Sequence, residues 1–189
     1  GLFVWCTVTF FATCIQWNVS ADENASLAPA DLKPPCSGLM MRDCNAQPPM
    51  PFIDSVVVQV GWKELETADQ CFDGPGWEKI EKIRKSGLKI KLRVFAGVHA
   101  PQFVKKIGGP GLSDTEHHID CSNGGIAIWN RWDNRGGSIP RYWLPEVLDQ
   151  YEELMTEVAR RYEDTPEICE VVDSACMTLY AEPFYRAHV

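Results

Sequence analysis

Three apolar runs in this chain each end in residues able to do chemistry. Gly61-Trp62-Lys63-Glu64 follows the first, Gly97-Val98-His99-Ala100-Pro101 the second, and Tyr180-Ala181-Glu182-Pro183 the third. Glu182 is a candidate proton donor. Tyr180 and Phe184 flank it, and neighbours that exclude water raise a carboxyl's pKa toward the range an acid catalyst needs. The competing reading is a surface-turn Glu, with Pro183 punctuating the strand. Trp62 is either a flat wall for a sugar or a wedge packed beneath the next helix. His99 stands just past a strand end, placed to contact substrate or to serve as an ordinary loop residue.

Other chemistries lack their patterns. Adjacent side chains on an extended segment point opposite ways, so His117-His118 is a poor chelate. Asp133-Asn134-Arg135-Gly136 lacks the spacing and final Glu of a calcium loop. There is no C-x-x-C, no phosphate-binding glycine loop and no dinucleotide fingerprint. No metal or cofactor is implied. The chain carries 26 acidic and 18 basic residues, a net charge of −8. Without a Lys/Arg cluster, it is a poor candidate for nucleic acid or an anionic membrane. Seven Trp suit a carbohydrate partner, although Trp also fills cores.

The elements that must position these residues follow from periodicity. A short strand is expected around Ser37 to Met41. Val56 to Val60 is almost wholly β-branched, the pattern of a strand buried on both faces. Trp77 to Lys85 reads as a helix stopped by Gly87, and Lys89 to Phe95 as the next strand. A brief helix is expected over Gln102 to Ile107. Residues 108–138 form a Gly-rich excursion, with a hairpin near Gly124-Gly125. Trp129, Trp132 and Trp143 flank that excursion, packing it down or lining a sugar groove. From Pro145 to Tyr162, Val147, Leu148, Tyr151, Leu154, Met155, Val158, Ala159 and Tyr162 make one helical stripe. Ile168 to Cys176 is the last strand, continuing through Met177 to Ala181.

Alternating strands and helices imply a parallel sheet with right-handed crossovers. In such sheets ligands bind beyond the C-terminal strand ends, where the three groups above lie. A (β/α)8 TIM barrel fits this α/β order, but a barrel needs about 250 residues. The chain is therefore expected to hold its first half, about strands 1–4. Arg93, alternating with Leu92 and Val94, would point into the barrel and orient a carboxylate, or pair with Glu64 or Glu66.

Val60-Gly61-Trp62-Lys63-Glu64-Leu65-Glu66 resembles the second-strand signature of clan A glycoside hydrolases, the β-galactosidase-like and cellulase-like (β/α)8 enzymes. Thr67 replaces that group's usual Pro, and Asp73 corresponds to its later Asp. Leu92 to Pro101 is similar to its third strand and loop, and Arg161 to Pro166 to its helix end before strand four. The resemblance spans residues 52–186. It implies that Glu182 is the general acid/base of a retaining hydrolase acting on O-glycosidic bonds. The nucleophile is then expected beyond the chain end, because two carboxyls about 5 to 5.5 Å apart are required. Trp62, Arg93, His99 and Tyr180 would bind the carbohydrate. Ala181 stands where that group carries Asn. This favours an alternative: a non-catalytic carbohydrate-binding or surface protein on the same scaffold.

Residues 1–21 carry no charge and end Val19-Ser20-Ala21, the pattern of a signal peptide or membrane anchor. The expectation is a secreted, extracellular protein, touching a membrane only if that segment stays uncleaved. Residues 22–51 read as an extended lead-in, and 52–189 as the half-barrel. Beyond the leader's Cys6 and Cys14, six Cys allow up to three disulfides. The short Pro-containing loop between Cys36 and Cys44 makes them the expected local pair.

Overall fold

The computed structural model describes residues 33–42, 51–131, 134–175 and 179. The chain divides into two units, residues 1–32 and Lys33–Val189, and all described residues belong to the second. The expected leader, residues 1–21, lies outside them, as do Tyr180, Glu182 and Trp132. Among the described residues no helix is long and apolar enough to cross a membrane.

The unit is an α/β arrangement around one parallel sheet. Strands β1 (Leu39–Arg42), β2 (Ile53–Gly61), β3 (Lys89–Phe95) and β6 (Ile168–Val172) lie side by side in chain order, β1-β2-β3-β6, all parallel. Helices α1 (Trp62–Leu65), α2 (Gly76–Arg84), α3 (Gln102–Lys105) and α4 (Pro145–Tyr162) fall between strands. A separate antiparallel hairpin, β4 (Ile126–Asn130) with β5 (Arg135–Ile139), rises from the long excursion between α3 and α4.

Alternation decides which side of the sheet is core. Val56, Val58 and Val60 of β2 and Ile90, Leu92 and Val94 of β3 are at most 1% exposed. They cluster with Trp77 and Ile80 of α2 and with Val147, Tyr151, Leu154, Val158 and Tyr162 of α4. Burying each such aliphatic side chain contributes about 1.5–3 kcal/mol, so this layer dominates stability. Leu148 and Ala159, expected in the α4 stripe, fall on its exposed flank. At 100° per residue they lie just outside the arc that meets the sheet. The other sheet face is mixed. The register sets Lys91 beside Glu170 and Gln59 beside Arg93, and Lys91 bonds Glu170 at 2.9 Å.

The bottom of the sheet, where the strands begin, is tied by residues just before β1. The Lys33 ammonium donates to the carbonyls of Tyr162 (2.6 Å), Thr165 (3.1 Å) and Ile168 (3.2 Å). Lys89 donates to Pro166 O at 2.7 Å. Both cations therefore answer carbonyls at and beyond the negative end of the α4 dipole. Nearby, Cys36 forms a disulfide with Cys169, 133 residues away. This replaces the expected Cys36–Cys44 pair. The turn after α4 brings β6 to the lead-in, so spatial neighbourhood overrides closeness in sequence. Cys44 lies outside the described residues, whereas Cys71 and Cys121 are free thiols.

Two further expectations change. The hairpin reverses between Asn130 and Arg135, not at Gly124-Gly125. Those glycines have φ of +114° and +87°, and a side chain there would meet Lys105 O (2.6 Å) and Ile139 O (2.8 Å). They mark close backbone approach to α3 and β5. The last strand pairs only to Val172, short of Cys176. Ser174 bonds instead through its hydroxyl to Val94 O and through its N–H to the Tyr151 hydroxyl.

Removing the disulfide by Cys36→Ser with Cys169→Ser should lower stability by about 2–4 kcal/mol and Tm by roughly 5–15 °C. Thermal melts of oxidised wild type and double variant check this. Equal melting temperatures would show that the Lys33 bonds and the β1–β2 pairing hold the lead-in without the disulfide.

Candidate functional site

The upper ends of β2 and β3 carry the residues that matter. Strand β2 passes directly into α1, and the first turn is built by its own side chains. The Gly61 N–H donates to Glu64 Oε2 at 2.5 Å. Trp62 drops under the sheet's helical layer with 0% exposure. It meets Tyr151 of α4 edge-on at 5.4 Å, and its indole N–H donates to Glu66 Oε2 at 2.7 Å. Its ring is therefore a wedge inside the core and has no face open to a sugar.

Glu66, also 0% exposed, accepts a second bond from the Gln70 N–H at 2.9 Å. Burial pushes its carboxyl above the ordinary 4.5, against the lowering effect of these two donors. The Trp77 indole of α2 donates to Leu65 O at 2.9 Å. Loop 66–75 folds back over this turn, and a side chain on Gly76 would come within 2.7 Å of Glu64 O. Asp73, the Asp of the expected motif, accepts from the Thr67 hydroxyl. This pair closes the loop.

Strand β3 ends beside it. Gly97 has φ of +50° and starts a 3-10 turn, Gly97–His99, that brings the His99 ring back to Phe95 at 5.5 Å. His99 is half-buried and abuts the β2 end. A side chain on Gly61 would lie 3.1 Å from His99 Cβ, 3.3 Å from its Nδ1 and 3.2 Å from Glu64 Oε2. The imidazole and the carboxylate thus converge over one glycine. Burial holds the His99 pKa below the ordinary 6.5; Lys63, Lys105 and Arg135 push the same way, and Glu64 opposes them. The ring is mostly neutral near pH 7 and able to accept a proton.

The excursion completes the surroundings. Lys105, the last residue of α3, is 7% exposed and donates to Val98 O at 3.0 Å. Burial, with Lys63 second, pulls its ammonium down to about 8. Gly137 of β5 packs on Val98, which brings β5 against the Gly97–His99 turn. Arg141 anchors the loop beneath, donating to Ile107 O (3.1 Å), Gly109 O (3.3 Å) and Pro110 O. His117 is bonded to Asp114 at 2.8 Å and stacked on Trp129 at 4.5 Å, so Trp129 packs the loop down. Trp143 is 66% exposed.

Arg93 lies half-buried on the sheet face away from the helices, beside Gln59. Among the described residues it forms no ion pair: Glu64 is engaged by Gly61 and Glu66 by Trp62 and Gln70. Arg93 Nε and Gln59 Nε2 are both buried without a hydrogen-bond partner among the described residues.

No protein-family model matches the chain, and no curated protein is significantly similar to it. The site therefore rests on its geometry.

Of the residues singled out from sequence, Trp62 and His99 share the turn region after β2 and β3, and Arg93 lies on the sheet face below. No sequence motif marks Lys105 or Arg135 as a site residue. Lys105 lies among the apolar residues of α3 and Arg135 beside Gly136 and Gly137, and only tertiary folding relates them to His99. Glu64 was visible as a strand-end carboxylate.

Two expectations test this turn. Trp62→Phe keeps an apolar ring but leaves Glu66 Oε2 without its donor, so it should cost about 1–3 kcal/mol in denaturant unfolding. For Glu66 the native state holds the proton more tightly than the unfolded chain. Its contribution is complete below the unfolded value of 4.5 and is lost as pH rises through the folded value. As pH rises above 4.5, wild type should therefore lose stability relative to Glu66→Gln. A flat difference between the two would show that burial does not control this carboxyl.

Proposed function

We propose that the chain belongs to a secreted glycoside hydrolase-like protein of (β/α)8 type, with Glu182 as general acid/base and the nucleophile supplied from outside residues 1–189. The observation that carries this reading is the meeting of two strand-end turns, Gly61–Glu64 and Gly97–His99, over Gly61. Ligand sites of parallel α/β sheets form at such ends. Two features support the barrel architecture: four parallel strands in chain order and helices packed on one face. The Cys36–Cys169 disulfide supports an oxidising compartment, such as the extracellular space.

In this reading His99 and Arg93 position the sugar, with Tyr180 beside Glu182. Trp62 acts indirectly, holding the turn that presents Glu64. Glu182 protonates the departing oxygen and then deprotonates water. The non-catalytic alternative, a carbohydrate-binding protein on the same scaffold, draws support from Ala181 and from the engagement of Glu64 by a backbone N–H.

The test uses the natural protein and a panel of nitrophenyl glycosides. Hydrolysis is expected, falling about 10²–10⁴-fold in Glu182→Gln. Turnover unchanged by that substitution would remove Glu182 from the mechanism. Glycan binding without any hydrolysis would favour the alternative.

A further inference from the structure

The environment of the strand-end site is strongly biased in charge. The chain as a whole is acidic, at −8, yet Lys63, Lys105 and Arg135 all bear on His99. Geometry explains how. Lys63 lies in the turn that begins at Gly61, against which His99 packs. Lys105 donates to Val98 O in the Gly97–His99 turn, and Gly137 of β5 packs on the Val98 side chain. Against these three cations the Glu64 carboxylate, which accepts from the Gly61 N–H, supplies the opposing charge at His99, so the balance stays positive, and burial keeps the Cys121 thiol near Lys105 protonated. A buried ammonium with a carbonyl as its hydrogen-bond partner is an unmet demand for negative charge.

A second, independent observation points the same way. Gln59 and Arg93 are cross-strand neighbours, one pleat repeat (roughly 7 Å) below the Gly61–Phe95 pair. Each carries a buried N–H group, Gln59 Nε2 and Arg93 Nε, with no acceptor among the described residues. Buried donors are normally satisfied, and unpaired ones ask for a ligand or ion. Above and below Gly61, then, the site offers donors and positive charge.

We propose that this strand-end site binds an anionic sugar unit, a carboxylate or sulfate borne by the glycan, with Lys63, Lys105 and Arg135 around it above Gly61 and Arg93 and Gln59 beneath. The proposal rests on the carbohydrate reading above and narrows its substrate class to acidic glycans. A carboxylate or sulfate accepts from ammonium and guanidinium groups in charge-assisted bonds, roughly twice as strong as neutral ones. A neutral hydroxyl gains no such strength. Because the anion favours the protonated form of Lys105, affinity should fall as pH rises above about 8.

Calorimetry on the natural protein tests this with four probes: a glucuronate disaccharide, a sulfated disaccharide, their neutral counterpart, and inorganic sulfate. At least tenfold tighter binding of one acidic disaccharide than of the neutral one is expected. Lys63→Glu, at an exposed position, should abolish that preference, and Lys105→Met should remove the decline above pH 8. If Lys105→Met fails to fold, Lys63→Glu and the wild-type pH profile still decide. Equal binding of acidic and neutral disaccharides would overturn the proposal, as would a preference unchanged in Lys63→Glu. Inorganic sulfate binding as tightly as the sulfated disaccharide would overturn it too, by showing a free-anion site. Hydrolysis of neutral glycosides that depends on Glu182, with no acidic preference, would defeat this inference and leave the hydrolase reading standing. Acidic preference without hydrolysis would do the reverse.

Discussion

The bond from the Trp62 indole to the Glu66 carboxyl is the constraint on which the upper half of this structure depends. A carboxyl inside a core is unfavourable unless donors answer it, and here Trp62 and Gln70 both do. The pair locks the turn after β2 to α4, through the contact of Trp62 with Tyr151. The Trp77–Leu65 bond then joins the same turn to α2. With three elements bolted at one point, Gly61 and Glu64 have a single orientation to offer His99. Rigid support of this kind is what a binding constellation on strand ends requires.

The two faces of the sheet do different work. One is a dry layer of Val, Ile and Leu under two amphipathic helices, and it supplies the driving force for folding. The other mixes Val57 and Phe95 with Gln59, Lys91, Arg93 and Glu170, the last paired with Lys91 at an exposed position. At the lower end, Lys33, Lys89 and the Cys36–Cys169 bridge gather the end of α4, the start of β6 and the lead-in. Stability and chemistry are thus separated along the strands, as parallel α/β folds generally arrange them.

What could be read in advance follows from the range of the forces involved. Strands β2 and β3 and helices α2 and α4 announce themselves through local periodicity, because each must present one apolar stripe or face. Proline at the first turn of α4 and Gly87 after α2 are equally local. The Trp62 ring was ambiguous for a physical reason: an amphipathic indole suits a sugar wall and a core wedge alike, and only the neighbouring Tyr151 and Glu66 decide. Gly124-Gly125 misled because glycine serves both turns and close approaches. Lys105 was illegible, since its burial arises from an excursion whose path carries little periodic signal. Glu182 and Tyr180 lie outside the described residues, so their part in the site stays with the proposal.

The position of the disulfide has a consequence for biosynthesis. Cys36 and Cys169 are separated by 133 residues. At ordinary elongation rates, Cys36 leaves the ribosome roughly ten seconds or more before its partner exists. During that interval Cys44, Cys71 and Cys121 emerge in turn, each a closer thiol. Any bond Cys36 makes then is non-native and must be reopened by thiol–disulfide exchange. Wherever Cys36 pairs early, reaching the Cys169 bond takes isomerisation as well as oxidation.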